Sequence, residues 1–273
     1  MNAGVAPVTL RTHAGRIDHS LQGTRVLITG AGVRIGRQIS LAFAQADAKV
    51  IVHYNQSEEA AQSLLAELST ISEGHCCVRA DLTNPEERHN LIPALIADGY
   101  GFNCLINNAS VYRRCPLTHV ILERLREDYE INFVAPFLLM RDFALYCEEG
   151  TIINILDQRV ANVDPSASSY GFAKKSLRDA TEAAAVQWAP RIRVNAVAPG
   201  LVLPPPGANP EKMDTLVRHI PMAIASSAEE IAHACLFLSC ARTITGQILY
   251  VDGGLHLTGP PLPEQDEADY SPD

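Results

Sequence analysis

Aromatic residues are scarce, at 6% of the chain, and there is one tryptophan. No run approaches the roughly 20 apolar residues that a membrane-crossing helix needs, so no membrane span is expected, although 47% of the 273 residues are hydrophobic. The first twenty residues contain no continuous apolar stretch, so they do not read as a signal peptide. The seven cysteines are odd in number and include no Cys-x-x-Cys pair, and the nine histidines show no metal-ligand spacing. Reduced thiols in a cytoplasmic protein without a metal site are therefore expected. The net charge is −9, but five of the acids lie in 259–273, so the folded part is only mildly acidic, and nothing suggests a nucleic-acid surface.

What is present is alternation. Strand-like segments fall near 25–29, 49–54, 75–79, 103–107, 150–156, 192–198 and 247–251, and helical patterns near 34–46, 58–70, 85–97, 119–147, 168–188 and 227–240. Ser57 reads as the cap of the second helix, with Glu58 and Glu59 favourable in its first turn, and Ser227 to Glu230 as a capping box. Pro136 is expected to bend the fourth helix. Apolar strands separated by helices give an α/β fold, a single Rossmann-type doubly wound parallel sheet of about seven strands with helices on both faces. One domain over 23–258 is expected, with a flexible extension at 1–22, a proline-rich substrate loop near 201–222, and a disordered acidic tail at 259–273.

Two groups of residues carry chemistry. The strand at 25–29 runs into Gly30-Ala-Gly32-Val-Arg34-Ile35-Gly36 and then a helix. Such a turn brings backbone close to a ligand, and a helix N-terminus aims free N–H groups and a favourable dipole at an anion. Further on, Tyr170 and Lys174 lie one helical turn apart on one face, and Asp157 ends an apolar strand upstream. A lysine cation near a phenol lowers its pKa, which suits Tyr170 to acid catalysis at neutral pH. Glycine turn, Asn107, Asp157 and Pro199 all follow strands, so they share the carboxyl rim of the sheet where ligands bind.

Thr29 to Gly36 resembles the TGxxxGxG signature of short-chain dehydrogenases/reductases, with Arg34 where the middle glycine usually stands. Asn107-Asn108-Ala109-Ser110 resembles the family's NNAG, Tyr170 and Lys174 its YxxxK, Pro199-Gly200 the PG after the sixth strand, and Asn132 the asparagine of the long fourth helix. The usual catalytic serine is Asp157 here, and Arg34, His53-Tyr54 and Asp157 together resemble the pteridine reductase branch, which includes the dihydromonapterin reductases. The resemblance implies that Asp157, Tyr170, Lys174 and Asn132 are catalytic. It implies a cofactor held by Gly30, Gly32, Arg34, Ile35, Gly36, His53, Tyr54, Asn55, Ser57, Asp81, Leu82, Asn108, Ala109, Ser110, Tyr170, Lys174, Pro199 and Gly200. Arg34, Ser110, Tyr112, Asp157, Tyr170 and Leu201 are implied for the substrate.

The second strand ends His53-Tyr54-Asn55-Gln56-Ser57 without the acid that NAD-specific folds place there. NADP(H) is therefore the expected cofactor. Arg34 suits its phosphates or the substrate; Asp81 suits either the adenine or a cap of the turn to Pro85. Asp157 would oppose the negative charge of carbonyl reduction, whereas it can accept N–H donors of a pterin, with Tyr170 delivering a proton to the ring nitrogen. Tyr112 either sandwiches that ring or packs in a loop. Reduction of a dihydropterin to its tetrahydro form, with dihydrofolate as a further candidate, is the leading expectation. A generic carbonyl or alcohol oxidoreductase and a non-catalytic NADP-binding sensor are the alternatives. A homotetramer is expected, because helices 119–147 and 168–188 carry many small or apolar residues, among them Ala180, Ala183, Ala184, Ala185 and Val186.

Overall fold

The computed structural model describes residues 20–202 and 215–259. Most of the expected extension at 1–22, the middle of the loop at 201–222 and nearly all of the tail at 259–273 lie outside the described residues. Seven strands form one sheet: β1 (Arg25–Ile28), β2 (Lys49–Tyr54), β3 (Cys76–Arg79), β4 (Cys104–Asn107), β5 (Gly150–Ile155), β6 (Ile192–Pro199) and β7 (Ile248–Val251). Their order is β3-β2-β1-β4-β5-β6-β7, and every pairing is parallel. The order reverses between β1 and β4, which opens the crevice where such sheets take ligands.

Helices α1 (Arg34–Gln45), α2 (Glu58–Ile71), α3 (Pro85–Ala97), α4 (Leu122–Tyr129), α5 (Ala135–Tyr146), α6 (Ser168–Trp188), α7 (Ala228–Cys240) and the short α8 (Leu255–Thr258) lie among the described residues. Alternate strand residues feed two cores, as the period of two requires. Val26 and Ile28 join Ile39, Phe43, Leu64, Leu68 and Ile231 on one face. Leu27 joins Leu91, Ile92, Leu139, Phe143 and Leu177 on the other. Each such side chain contributes about 1.5–3 kcal/mol on burial.

Local chemistry sets the helix starts. Asn84 accepts hydrogen bonds from Glu86 and Glu87 N–H groups ahead of Pro85, and Ser227 forms the expected capping box with Glu230. Ser57 departs from expectation: it stands at the N-cap of α2, but its side chain makes no capping bond. The expected helix 119–147 is not continuous either. A 3₁₀ turn, Leu117–His119, precedes α4, and a π-helical turn, Glu130–Val134, separates α4 from α5. Pro136 has no N–H to give to the fourth residue back, and the Ala135 N–H instead bonds to Glu130, five residues back. The distortion therefore falls just before the proline, and Asn132 sits inside it.

Candidate active site

The crevice between β1 and β4 is stitched shut at its floor. The Asn108 side-chain amide donates to the carbonyls of Thr29 at 2.9 Å and Gly30 at 3.0 Å, and the Thr29 hydroxyl accepts from the Asn108 and Ala109 N–H groups at 2.9 and 3.0 Å. Gly30 has φ +62°, which favours glycine, and a Cβ on Gly36 would lie 2.3 Å from the Gly30 carbonyl oxygen. These two glycines let the first turn of α1 settle directly on the link. Helix α1 starts with no capping side chain and no acid in its first turn, so its leading N–H groups face the crevice rim ready for an anion. Arg34 is exposed and adopts φ +53°, and its side chain makes no hydrogen bond or ion pair with the other described residues.

His53 works behind this turn. Its Nδ1 accepts from the Gly30 N–H at 3.2 Å, its Nε2 donates to the Ala80 carbonyl at 3.0 Å, and its own carbonyl accepts from the Ala31 N–H at 2.9 Å. Burial holds its pKa down, at about 4, so the ring is neutral. His53 thus shapes the glycine turn from the sheet side. Burial, and then the neighbouring Glu58, raise the Tyr54 pKa. Asp81 caps its own turn, accepting from the Thr83 N–H at 2.9 Å and hydroxyl at 2.7 Å; with a further bond from Asn55, those contacts lower its pKa. Of the two roles open to Asp81, the turn cap is present. The Leu82 carbonyl accepts from buried Arg88 at 2.7 Å, and Arg88 also pairs with Glu130 of the π turn.

The catalytic candidates meet at the ends of β5 and α6. The Tyr170 hydroxyl donates to Asp157 Oδ2 at 3.0 Å, and Lys174 donates to the Ile155 carbonyl at 2.8 Å, its Nζ 5.9 Å from the centre of the Tyr170 ring. Both side chains are buried. The expected polarity is reversed: burial and then Asp157 hold the Tyr170 pKa well above that of a free phenol. The Lys174 ammonium, 5.9 Å from the ring centre, does not offset burial and the carboxylate. Burial lowers the Lys174 pKa to about 8, against an opposing pull from Asp157. Tyr170 is accordingly a firmly protonated phenol with an acceptor on its hydroxyl.

Asn132 is buried in the π turn, where its Oδ1 accepts from the Ser110 hydroxyl at 2.6 Å and its amide donates to the carbonyls of Val111 and Asp128, each at 3.0 Å. It therefore fixes the loop after β4, and that loop carries Tyr112. The Tyr112 ring packs edge-on to Tyr170 with centroids 4.9 Å apart and is 43% exposed, so it walls the site and still offers surface. At the other edge, Gly200 is required by packing, since a Cβ there would lie 2.6 Å from that of Asp252. Pro199 ends β6, and Leu201 opens the loop with its carbonyl held by the Ser226 N–H at 3.0 Å.

One residue at the centre is not singled out by the motifs. Arg159 contacts both Asp157 oxygens at 3.2 Å, donates to Asp164 at 2.7 Å and to the Tyr112 hydroxyl at 3.3 Å, and lies over the Tyr112 ring. Its place two residues after Asp157 is the only signal in the sequence, because Tyr112 and Asp164 reach it through the fold.

A family model described as enoyl-(acyl carrier protein) reductase matches residues 30–256. A 3-oxoacyl-[acyl-carrier-protein] reductase of Synechocystis sp. is 32% identical over 84% of this chain and 95% of its own length. A glucose 1-dehydrogenase of Gluconobacter oxydans is 32% identical over 87% of this chain and 93% of its own. Among solved structures, FolM alternative dihydrofolate reductase 1 from Brucella canis, complexed with NADP, is 29% identical, with TM-score 0.79 over 93% of this chain and all of that one. The Brucella suis protein of the same description, also with NADP, is 31% identical, with TM-score 0.81 over 86% of this chain and 95% of that one. The expected cofactor, NADP(H), is the one both Brucella proteins hold. With the family model spanning most of the chain and the glycine turn, Asn132, Tyr170 and Lys174 assembled on one rim, the protein belongs to the short-chain dehydrogenase/reductase family and is an oxidoreductase.

Proposed function

We propose that the protein is an NADPH-dependent reductase of a pterin, converting a 7,8-dihydropterin of the dihydromonapterin or dihydrobiopterin type to its tetrahydro form, with dihydrofolate in the same substrate class. The observation that carries this reading is the carboxylate of Asp157, 3.0 Å from the Tyr170 hydroxyl and beside the Tyr112 ring. A carboxylate repels the charge that grows on a ketone oxygen during reduction. A ring C=N has the opposite need: its nitrogen takes up a proton, and neighbouring pterin N–H groups seek an acceptor. As substrate enters, the Tyr170 O–H turns from Asp157 Oδ2 to the ring nitrogen, and the vacated lone pair accepts a substrate N–H. Tyr112 offers a flat apolar face to the heterocycle. The description of the two Brucella proteins as alternative dihydrofolate reductases supports the same class.

The cradle fits NADPH. The uncapped first turn of α1 and the left-handed Gly30 suit a pyrophosphate, with Gly32, Ile35 and Gly36 behind them. The end of β2 has no acid to repel a 2′-phosphate, and the unpartnered Arg34 guanidinium, Asn55 and Ser57 are the groups to meet it. Asp81 and Leu82 would hold the adenine, Asn108 to Ser110 with Pro199 and Gly200 the nicotinamide half, and Lys174 the nicotinamide ribose. The bound cofactor supplies hydride to the pterin ring carbon. Asn132 extends the proton path from Tyr170 towards solvent.

A second reading, a carbonyl or alcohol oxidoreductase, is favoured by the 3-oxoacyl reductase and glucose dehydrogenase relatives. NADPH consumption with 7,8-dihydropterins, dihydrofolate and a ketone panel, repeated with NADH, separates the two. Turnover of the dihydropterin with NADPH is expected; turnover confined to ketones, or NADH preferred, contradicts the proposal.

A single catalytic domain, a homotetramer and a cytoplasmic location belong to the same proposal. Leu122, Phe137, Leu145, Phe172 and Val186 on α4 to α6 are exposed, which supports subunit contacts there, while Ala184 and Ala185 are buried against the sheet. Among the described residues no helix is long and apolar enough to cross a membrane. The thiol form of Cys76, Cys77 and Cys104 suits a reducing compartment.

A further inference from the structure

Asp157 is saturated. Its Oδ1 accepts from the Arg159 backbone N–H at 2.9 Å and from Arg159 Nη1 at 3.2 Å; its Oδ2 accepts from Nη1 at 3.2 Å and from the Tyr170 hydroxyl at 3.0 Å. A carboxylate has about four acceptor positions, so a substrate N–H enters only by displacing a donor. The Tyr170 hydroxyl is the one contact that can leave without disturbing the rest. Arg159 is itself pinned from behind: its Nε donates to Asp164 Oδ2 at 2.7 Å, and Asp164 Oδ1 accepts from the Ser166 N–H and hydroxyl at 2.9 and 2.6 Å. Its Nη2 donates to the Tyr112 hydroxyl at 3.3 Å, with the guanidinium carbon 5.1 Å from the ring centre.

We infer that Arg159 is a positioning residue of this site, holding Asp157 through both its oxygens and Tyr112 beside it, so that the remaining position on Oδ2 exchanges between Tyr170 and a nitrogen-bound proton of the substrate. This rests on the pterin-reductase reading. The guanidinium is what permits it, because its three nitrogens reach three partners at once, Nε to Asp164, Nη1 to Asp157 and Nη2 to Tyr112, whereas an ammonium is a compact point charge that cannot span the three. Two acids, Asp157 and Asp164, face the one guanidinium, so removing it frees Asp157 to rotate away from the reacting nitrogen.

The test compares wild type with Arg159→Ala, Arg159→Lys and Asp164→Asn, measuring kcat/KM for a 7,8-dihydropterin and the Kd of NADPH by fluorescence titration. Arg159→Ala is expected to lose about 10²-fold in kcat/KM, the scale of a misplaced reacting group, with NADPH affinity within twofold of wild type. Arg159→Lys should recover only a small part of that loss. Asp164→Asn, which loosens Arg159 from the far side without touching Asp157, should lose several-fold in the same sense and stands in if Arg159→Ala does not fold. Unchanged kcat/KM in the variants, a loss matched by an equal loss of NADPH affinity, or full recovery with lysine would overturn the role of Arg159. A wild type inert to every dihydropterin would instead overturn the reading on which it rests.

Discussion

The hydroxyl of Tyr170 and Oδ2 of Asp157 share a 3.0 Å hydrogen bond, and burial of the phenol, with that carboxylate second, raises its pKa. The proposed proton donor is thereby held in its protonated form, with its proton on Asp157 until a substrate replaces that acceptor. Tyr170→Phe removes the proton and leaves the cradle intact. It should lower turnover by about 10²–10⁴-fold, the scale of acid–base assistance, with little change in NADPH affinity. A comparable loss in NADPH affinity would show that Tyr170 acts mainly in binding.

Because Tyr170 does not titrate in the accessible range, the alkaline limb of the rate profile belongs to Lys174, whose pKa is about 8. The ammonium is the form that can hold a ribose hydroxyl and retain its bond to the Ile155 carbonyl, so kcat/KM should fall as pH rises through about 8. Asp157 favours the charged form of Lys174. Removing that carboxylate in Asp157→Asn should move the limb to lower pH. A limb that stays in place would assign it to another group.

His53 predicts a stability effect on the acid side. Its folded pKa of about 4 lies below the ordinary 6.5, so its stabilisation is complete above pH 6.5 and is lost as pH falls towards 4. The 2.5-unit difference corresponds to roughly 3 kcal/mol. His53→Gln keeps a donor and an acceptor but cannot be protonated. Its melting temperature should decline less steeply than that of wild type between pH 6.5 and 4, and equal slopes would remove His53 from the account.

The assembly is checked by light scattering. The exposed apolar side chains of α4 to α6 predict a mass near four times the 29.6 kDa of one chain. A mass near that of one chain would rule out the tetramer.

The period of two in the apolar strands and the turn chemistry between them placed β2 at 49–54 and the capping box at Ser227 directly from sequence, since both depend on neighbours along the chain. Tyr170 and Lys174 fall on one helix face for the same reason. The relations that sequence does not carry are those made across the fold. The Ser57 hydroxyl forgoes its cap, His53 serves the glycine turn from beneath, and the cation of Lys174 settles by the Tyr170 ring while Asp157 takes the hydroxyl. Arg159 stands two residues from Asp157, yet its partners Tyr112 and Asp164 arrive from other segments, and only the folded chain brings them together.

The central claim is that Asp157 directs this oxidoreductase towards a ring C=N and away from a ketone. Its most direct test is the product partition when limiting NADPH is offered a 7,8-dihydropterin and a ketone together, for wild type and for Asp157→Ser. Wild type should form the tetrahydropterin almost alone, and Asp157→Ser, which puts a hydrogen-bond donor in place of the carboxylate, should shift the products towards the alcohol. An unchanged partition, or a wild type that spends its NADPH on the ketone, would contradict the claim.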